Sequence, residues 1–196
     1  SWASAQHIYV THAATRTSTD LTSTDLTTTD SGAQLILETP IDLLGAPAGT
    51  LPWVTPVQID ETGATANVFP WIAGGGADRA DLVWYAGTGV DNNDPTNQWV
   101  VRYAQIHETN QGLAVAQTVA SDHVMHVGQI CEAGVNCSVN GNRDLLDFLE
   151  VTVTPDGRGA IAWSDDTASP PAAQIYESEQ CGGVSATTGK WLSSTC

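Results

Sequence analysis

A tripeptide recurs along this chain at the spacing of a structural unit. Ala-Gln followed by an aliphatic residue occurs as Ala33-Gln34-Leu35, Ala104-Gln105-Ile106 and Ala173-Gln174-Ile175, with starts 71 and 69 residues apart. The last two copies extend to Ala-Gln-Ile-His-Glu and Ala-Gln-Ile-Tyr-Glu. A second matching element precedes each. Arg79-Ala80-Asp81-Leu82-Val83-Trp84-Tyr85 aligns with Arg158-Gly159-Ala160-Ile161-Ala162-Trp163-Ser164, and His7-Ile8-Tyr9-Val10-Thr11 is a fainter counterpart. Chance readily gives one Ala-Gln match. Three at near-constant spacing, each behind a similar segment, define a repeated unit.

The repeated elements are short, aliphatic and aromatic, and bounded by Gly, Asp, Asn or Pro, which reads as β-strand. One unit can be filled in as Phe69–Ala73, the turn Gly74-Gly75-Gly76, Asp81–Tyr85, Trp99–Ile106 and Leu113–Val119. The next runs Phe148–Thr154, the turn Pro155-Asp156-Gly157, Ala160–Ser164, Ala173–Glu177 and a last strand around Lys190–Ser193. The first unit starts at its second strand and ends near Val54–Ile59. No segment holds a helical period, and Arg143–Leu149 is the best candidate for a short turn. The fold expected is all-β: a partial β-propeller of about three four-stranded antiparallel blades, with rough boundaries 1–60, 61–120 and 140–196. A two-sheet β-sandwich is the alternative. Residues 15–31, with the five-residue Thr/Ser-Asp-Leu repeat, read as a low-complexity surface insertion, and 120–147 as a long loop.

Composition narrows the partners. With 22 Asp or Glu against 6 Lys or Arg, the formal net charge is −16, so no basic patch for nucleic acid can form. No apolar run approaches the roughly 20 residues of a membrane-spanning helix. The opening Ser1–Ala5 lacks the basic and apolar regions of a signal peptide. Its small-x-small pattern reads as the tail of a removed signal or as a start inside a longer precursor. Four cysteines permit three pairings, and none forms a Cys-x-x-Cys zinc pair. The two local bridges, Cys131 with Cys137 and Cys181 with Cys196, each close a loop within one unit, which implies an oxidising, extracellular or cell-surface location. Asn136-Cys137-Ser138 is a weak glycosylation sequon.

Two stretches carry a family resemblance. Phe69-Pro70-Trp71-Ile72-Ala73 with Asp81-Leu82-Val83-Trp84-Tyr85-Ala86-Gly87 resembles secreted bacterial sialidase-like β-propeller proteins of the Asp-box superfamily. So does His126-Val127-Gly128-Gln129-Ile130-Cys131 with Asn142-Arg143-Asp144-Leu145-Leu146-Asp147-Phe148, leading into Pro155-Asp156-Gly157 and the Trp163 strand. The resemblance spans roughly residues 55 to 180. It implies a six-bladed ring and a glycoside hydrolase, an exo-sialidase, acting on extracellular glycans. Two departures stand out: no clean Asp-box is present, and the Phe-Arg-Ile-Pro motif of a sialidase's first arginine is absent.

On a propeller, the loops between second and third strands share a face with those entering each inner strand. That places Asp91–Asp94, Asp165-Asp166, the segment 120–147 and the Thr/Asp insertion together. For the implied hydrolase, Arg143 is the candidate carboxylate clamp and Asp144 or Asp147 the acid, with His126 and Trp99 as candidate substrate contacts. Arg143 paired with Asp144 or Asp147 as a loop-fixing ion pair is the blander reading. Asp91, Asn93 and Asp94 offer hard oxygen ligands suited to calcium, although an Asx turn without an ion is the default. His123 and His126 with Asp122 form a weaker metal candidate. Trp84 and Trp163 hold equivalent positions and are expected to pack between sheets, and for Trp53, Trp71 and Trp99 core packing is the stronger reading beside a sugar contact.

At roughly 70 residues per unit, 196 residues make fewer than three blades, whereas closed rings typically use about four to eight. The expected partner is therefore the rest of the propeller, from the same precursor or another copy, with a glycan as ligand. A non-catalytic adhesion or structural propeller is the alternative function.

Overall fold

Short β-branched and aromatic runs separated by Gly, Asn and Asp turns leave these residues little option but to pair as adjacent antiparallel strands. The computed structural model describes residues 10–15, 33–38, 57–60, 66–76, 79–109, 111–131, 137, 145, 148–167 and 173–194. Among them the chain is all-β, with no helix. β1 (Val10–Thr15), β2 (Ala33–Glu38) and β3 (Val57–Gln58) form one sheet. β4 (Ala66–Gly74), β5 (Arg79–Gly87), β6 (Gln98–Thr109) and β7 (Gly112–Val119) form a meander, which β8 (His126–Val127) extends by pairing with β6. β9 (Leu149–Val153), β10 (Gly159–Asp165) and β11 (Gln174–Glu179) form the third sheet. Every pairing is antiparallel.

The central sheet is covered on both faces, and β5 shows it most clearly because Ala80 through Gly87 are all buried. Successive strand residues point to opposite faces. Val83 and Tyr85 therefore join Val101 and Tyr103 of β6 in a core shared with Leu149, Val151, Ile161 and Trp163 of the third sheet. Ala80, Leu82, Trp84 and Ala86 join Ala104 and Ile106 in a second core that takes in Ile59, just beyond β3. Each fully buried large apolar side chain is worth about 1.5–3 kcal/mol.

Trp84 and Trp163 both lie in the core facing the sheet that precedes their own in the chain, so the repeat read from sequence survives in three dimensions. The Ala-Gln tripeptide does not survive it. Trp84 pairs with Arg102 and Trp163 with Tyr176, which sets Ala104 two residues after its strand's Trp partner and Ala173 three before. In the second and third sheets the tripeptide falls at the third strand, β6 and β11, at different heights. The cause is the loop before it, long between β5 and β6 and shorter between β10 and β11.

β4 contains a bulge where Phe69 and Pro70 together oppose Trp84 alone. Pro70 has no N–H for the ladder, and the bulge gives it a place that needs none. Phe69 adopts φ 52°, a costly conformation for a bulky residue, and packs edge-on against Tyr85 at 6.3 Å. Beyond the bulge Trp71 is turned outward and half exposed.

The chain after β11 was expected to end in a strand around Lys190–Ser193, but it makes a single bridge, Val184 with Trp191. The segment serves instead as a strap across the turns of two sheets. Ala186 N–H donates to the Gly157 carbonyl and Gly76 N–H to the Ala186 carbonyl, both at 2.7 Å. The β4–β5 and β9–β10 turns are thereby joined through one residue.

Between the first two sheets, buried Trp84 donates its indole N–H to Asn67 Oδ1 at 2.9 Å, and Asn67 donates to Asp60 at 3.4 Å. Asn67 is fully buried. Asn67→Leu is expected to strand the indole N–H and lower stability by about 1–3 kcal/mol. Urea denaturation checks this, with no loss meaning that the pair adds nothing.

Candidate functional site

Three loops meet at one end of the sheets. Residues 88–97 join β5 to β6, residues 120–131 run past β8, and residues 166–167 follow Asp165 at the end of β10. They are tied by backbone bonds, Ile130 N–H to the Asn92 carbonyl at 2.9 Å and Asp166 N–H to the Met125 carbonyl at 3.2 Å. Side chains add to this, Gln129 donating to the Asn93 carbonyl at 2.7 Å and Asn92 to the Ile130 carbonyl at 3.1 Å. The Cys131–Cys137 disulfide closes a short loop at the end of this segment. Cys181 is disulfide-bonded as well, and Cys196 lies outside the described residues.

The chemistry gathers around His123. Its Nε2 lies 2.7 Å from Asp165 Oδ2 and its Nδ1 2.5 Å from Asp122 Oδ1. Asp165 is fully buried, its Oδ1 accepting from the Thr167 N–H at 2.9 Å and the Thr167 hydroxyl at 2.8 Å. Asp122 stands in solvent, with 91% of its side chain exposed. The imidazole thus bridges an anchored carboxylate and a free one. The hydrogen bond to Asp122 holds the His123 pKa above the ordinary histidine value; partial burial opposes the shift and Asp165 reinforces it. The same bond holds Asp122 below the usual carboxylate range. The ring of Tyr176 meets His123 edge-on at 5.6 Å and stacks on Trp163 at 6.1 Å. An imidazole, a solvent-facing carboxylate and a partly buried aromatic ring therefore lie side by side, able to exchange hydrogen bonds with hydroxyl groups and to cover an apolar ring face.

The residues singled out from sequence fall in several places. Arg143, Asp144 and Asp147 lie outside the described residues. Trp99 is fully buried and donates its indole N–H to the Gly128 carbonyl at 2.7 Å. His126 is 1% exposed, with Nδ1 2.8 Å from Asp166 Oδ2 and Nε2 3.1 Å from the Gln129 carbonyl. Both side chains support the loops from beneath. His123 and His126 turn to different carboxylates, as their spacing on extended chain requires.

Asp91 Oδ1 accepts from Asn93 N–H at 2.8 Å, and Asp94 Oδ1 from the Thr96 N–H at 2.8 Å and hydroxyl at 2.7 Å. These are Asx turns, and the Thr96 bonds hold Asp94 below the usual carboxylate range. Among the described residues no group of three or more His, Cys, Asp or Glu side chains is set to hold a metal ion. Among the arginines, Arg158 is engaged with Asp156 at 2.9 Å and the Gln180 carbonyl at 2.7 Å, at the opposite end of β10 from Asp165. Sequence reasoning missed Tyr176, because its place beside His123 depends on the register of β10 with β11.

No protein-family model, curated protein or solved structure matches this chain.

Proposed function

We propose that the chain is part of a β-propeller in an extracytoplasmic protein, and that the loop end around His123 binds neutral glycans without cleaving them. The stacking of successive sheets, each presenting its tryptophan to the sheet before it, supports the propeller. The disulfide supports an oxidising compartment. The observation that carries the ligand is the Asp122–His123–Asp165 line beside the Tyr176 ring. Carboxylates accept from sugar hydroxyls, and an aromatic ring covers the apolar face of a pyranose.

Charge argues for a neutral sugar over a sialoside. A chain of net charge −16 repels anionic ligands. A sialidase overcomes that with clustered arginines, and the described loops contribute none. The hydrolase reading then rests on Arg143, Asp144 and Asp147.

Binding to an array of neutral and sialylated glycans tests the proposal. Neutral glycans are expected to bind, with Tyr176→Ala and Asp122→Asn each weakening binding about tenfold, the equivalent of one lost charged hydrogen bond or ring contact. Turnover of a fluorogenic sialoside that disappears in Arg143→Ala would overturn it in favour of a sialidase.

A further inference from the structure

At the other end of the sheets, a cavity of ≈ 220 Å³ opens between β6–β7 and the strap after β11, lined by Arg79, Asp81, Gln105, Ile106, Val115 and Ala116 among others. A second space of ≈ 350 Å³ adjoins it and shares Gln105 and Ala116. We propose that this cavity is a binding site for a small organic cation, with an ammonium group on Asp81 and an alkyl body against β7.

Asp81 is fully buried, and its Oδ2 receives no hydrogen bond from any described residue. Its Oδ1 accepts only a long bond, 3.3 Å, from Gln105 Nε2. That same Gln105 amide is committed more closely to the Val184 carbonyl at 2.8 Å, so it cannot move toward Asp81 without giving that up. Gln180, the next amide along, is held in turn by the Gly182 and Val184 carbonyls at 2.7 and 3.1 Å. Both amides beside the carboxylate are thus held elsewhere, which leaves the Tyr103 hydroxyl as the neutral donor next to it.

A buried oxygen lacking a donor is costly, and a cationic donor is the group that offsets it best. Arg79 lines the same cavity, but its guanidinium packs against the Gly189 turn, where even an added methyl would meet Nη2 at 2.6 Å. Apart from His107 and Ser185, the remaining walls are aliphatic, among them Ile106, Ala114, Val115 and Ala116, which suits an alkyl chain. At roughly 30 Å³ per water, the space holds several waters or one small amine. The acidic chain also raises the local concentration of cations.

Titration with n-butylammonium at neutral pH, followed by thermal shift and calorimetry against equal sodium chloride, tests the site. Saturable binding is expected, weakened about tenfold or more in Asp81→Asn through loss of the charged hydrogen bond. Ala116→Leu, which narrows the cavity without touching Asp81, is expected to weaken binding as well. Butan-1-ol binding as tightly as n-butylammonium would overturn the proposal, leaving an apolar void. So would binding unchanged in Asp81→Asn, or no binding to the folded wild-type protein, which would leave ordered water as the only occupant. None of these outcomes depends on the glycan site.

Discussion

Gly76→Val is expected to destabilise the protein by about 3 kcal/mol, near the upper end of what overpacking a well-fitted contact costs. A Cβ at Gly76 would meet the Thr187 carbonyl oxygen at 2.1 Å and its carbon at 2.9 Å. Both are backbone atoms, so no side chain can rotate away. The neighbouring Gly76 N–H to Ala186 carbonyl bond would be pulled apart at the same time. Gly112→Ala is the natural control. Gly112 has φ 112°, but a Cβ there meets nothing within 4 Å, so only the conformational penalty of about 1 kcal/mol remains. Urea midpoints of the two variants measure the difference. Equal losses would mean that the strap does not press on the β4–β5 turn.

Asp81→Asn should act in the opposite sense and stabilise the protein at neutral pH by about 3 kcal/mol, at about 1.4 kcal/mol per pKa unit. Burial pushes the Asp81 carboxyl up to about 6, against the partial relief of Gln105 and Tyr103. A raised carboxyl pKa means that the folded chain holds its proton to higher pH than the unfolded chain does. The associated stability is complete below the ordinary value of 3.8 and is lost as pH rises through about 6. Asparagine carries no such penalty. Its advantage should therefore be full above about pH 6 and vanish near pH 4, a profile that denaturation curves across that range would trace. A variant less stable than wild type at pH 8 would show that the carboxylate is already compensated.

The strand map was legible because its signals are local. Asp81–Tyr85 and Trp99–Ile106 are runs of apolar and aromatic residues between Asn/Asp/Gly loops, and β5 and β6 contain them whole. The alternation that sends Trp84 one way and Tyr85 the other is likewise built into the strand period. Strand pairing height was not legible. Gln105 comes to lie opposite Asp81, whereas Gln174 of the same motif lies opposite Asp165, because loop lengths set register and a tripeptide does not. The gathering of residues 91–94, 120–131 and 165–166 at one end followed from strand alternation, and hydrogen bonds join them. Which of their groups are consumed in support was not visible. His126 looks like a ligand contact on paper, and Trp99 reads as a sugar contact or, better, as core packing; both are buried struts in the fold. Asp81 is one residue of a strand in the sequence, and only Gln105, Tyr103 and the strap after β11 closing around it make it a buried acid.

Each of the three sheets is drawn from one uninterrupted stretch of chain, and within each path hydrogen-bonded neighbours are consecutive strands, β8 apart. Forming the central and third sheets closes only short loops, whereas the first must close the long connections on either side of β2, so the entropic barrier to pairing is lower for the second and third. Assembly is then a matter of preformed layers docking through Trp84 and Trp163. An architecture of this kind grows by whole layers: a duplicated segment adds a sheet at the end of the stack without rethreading those already there.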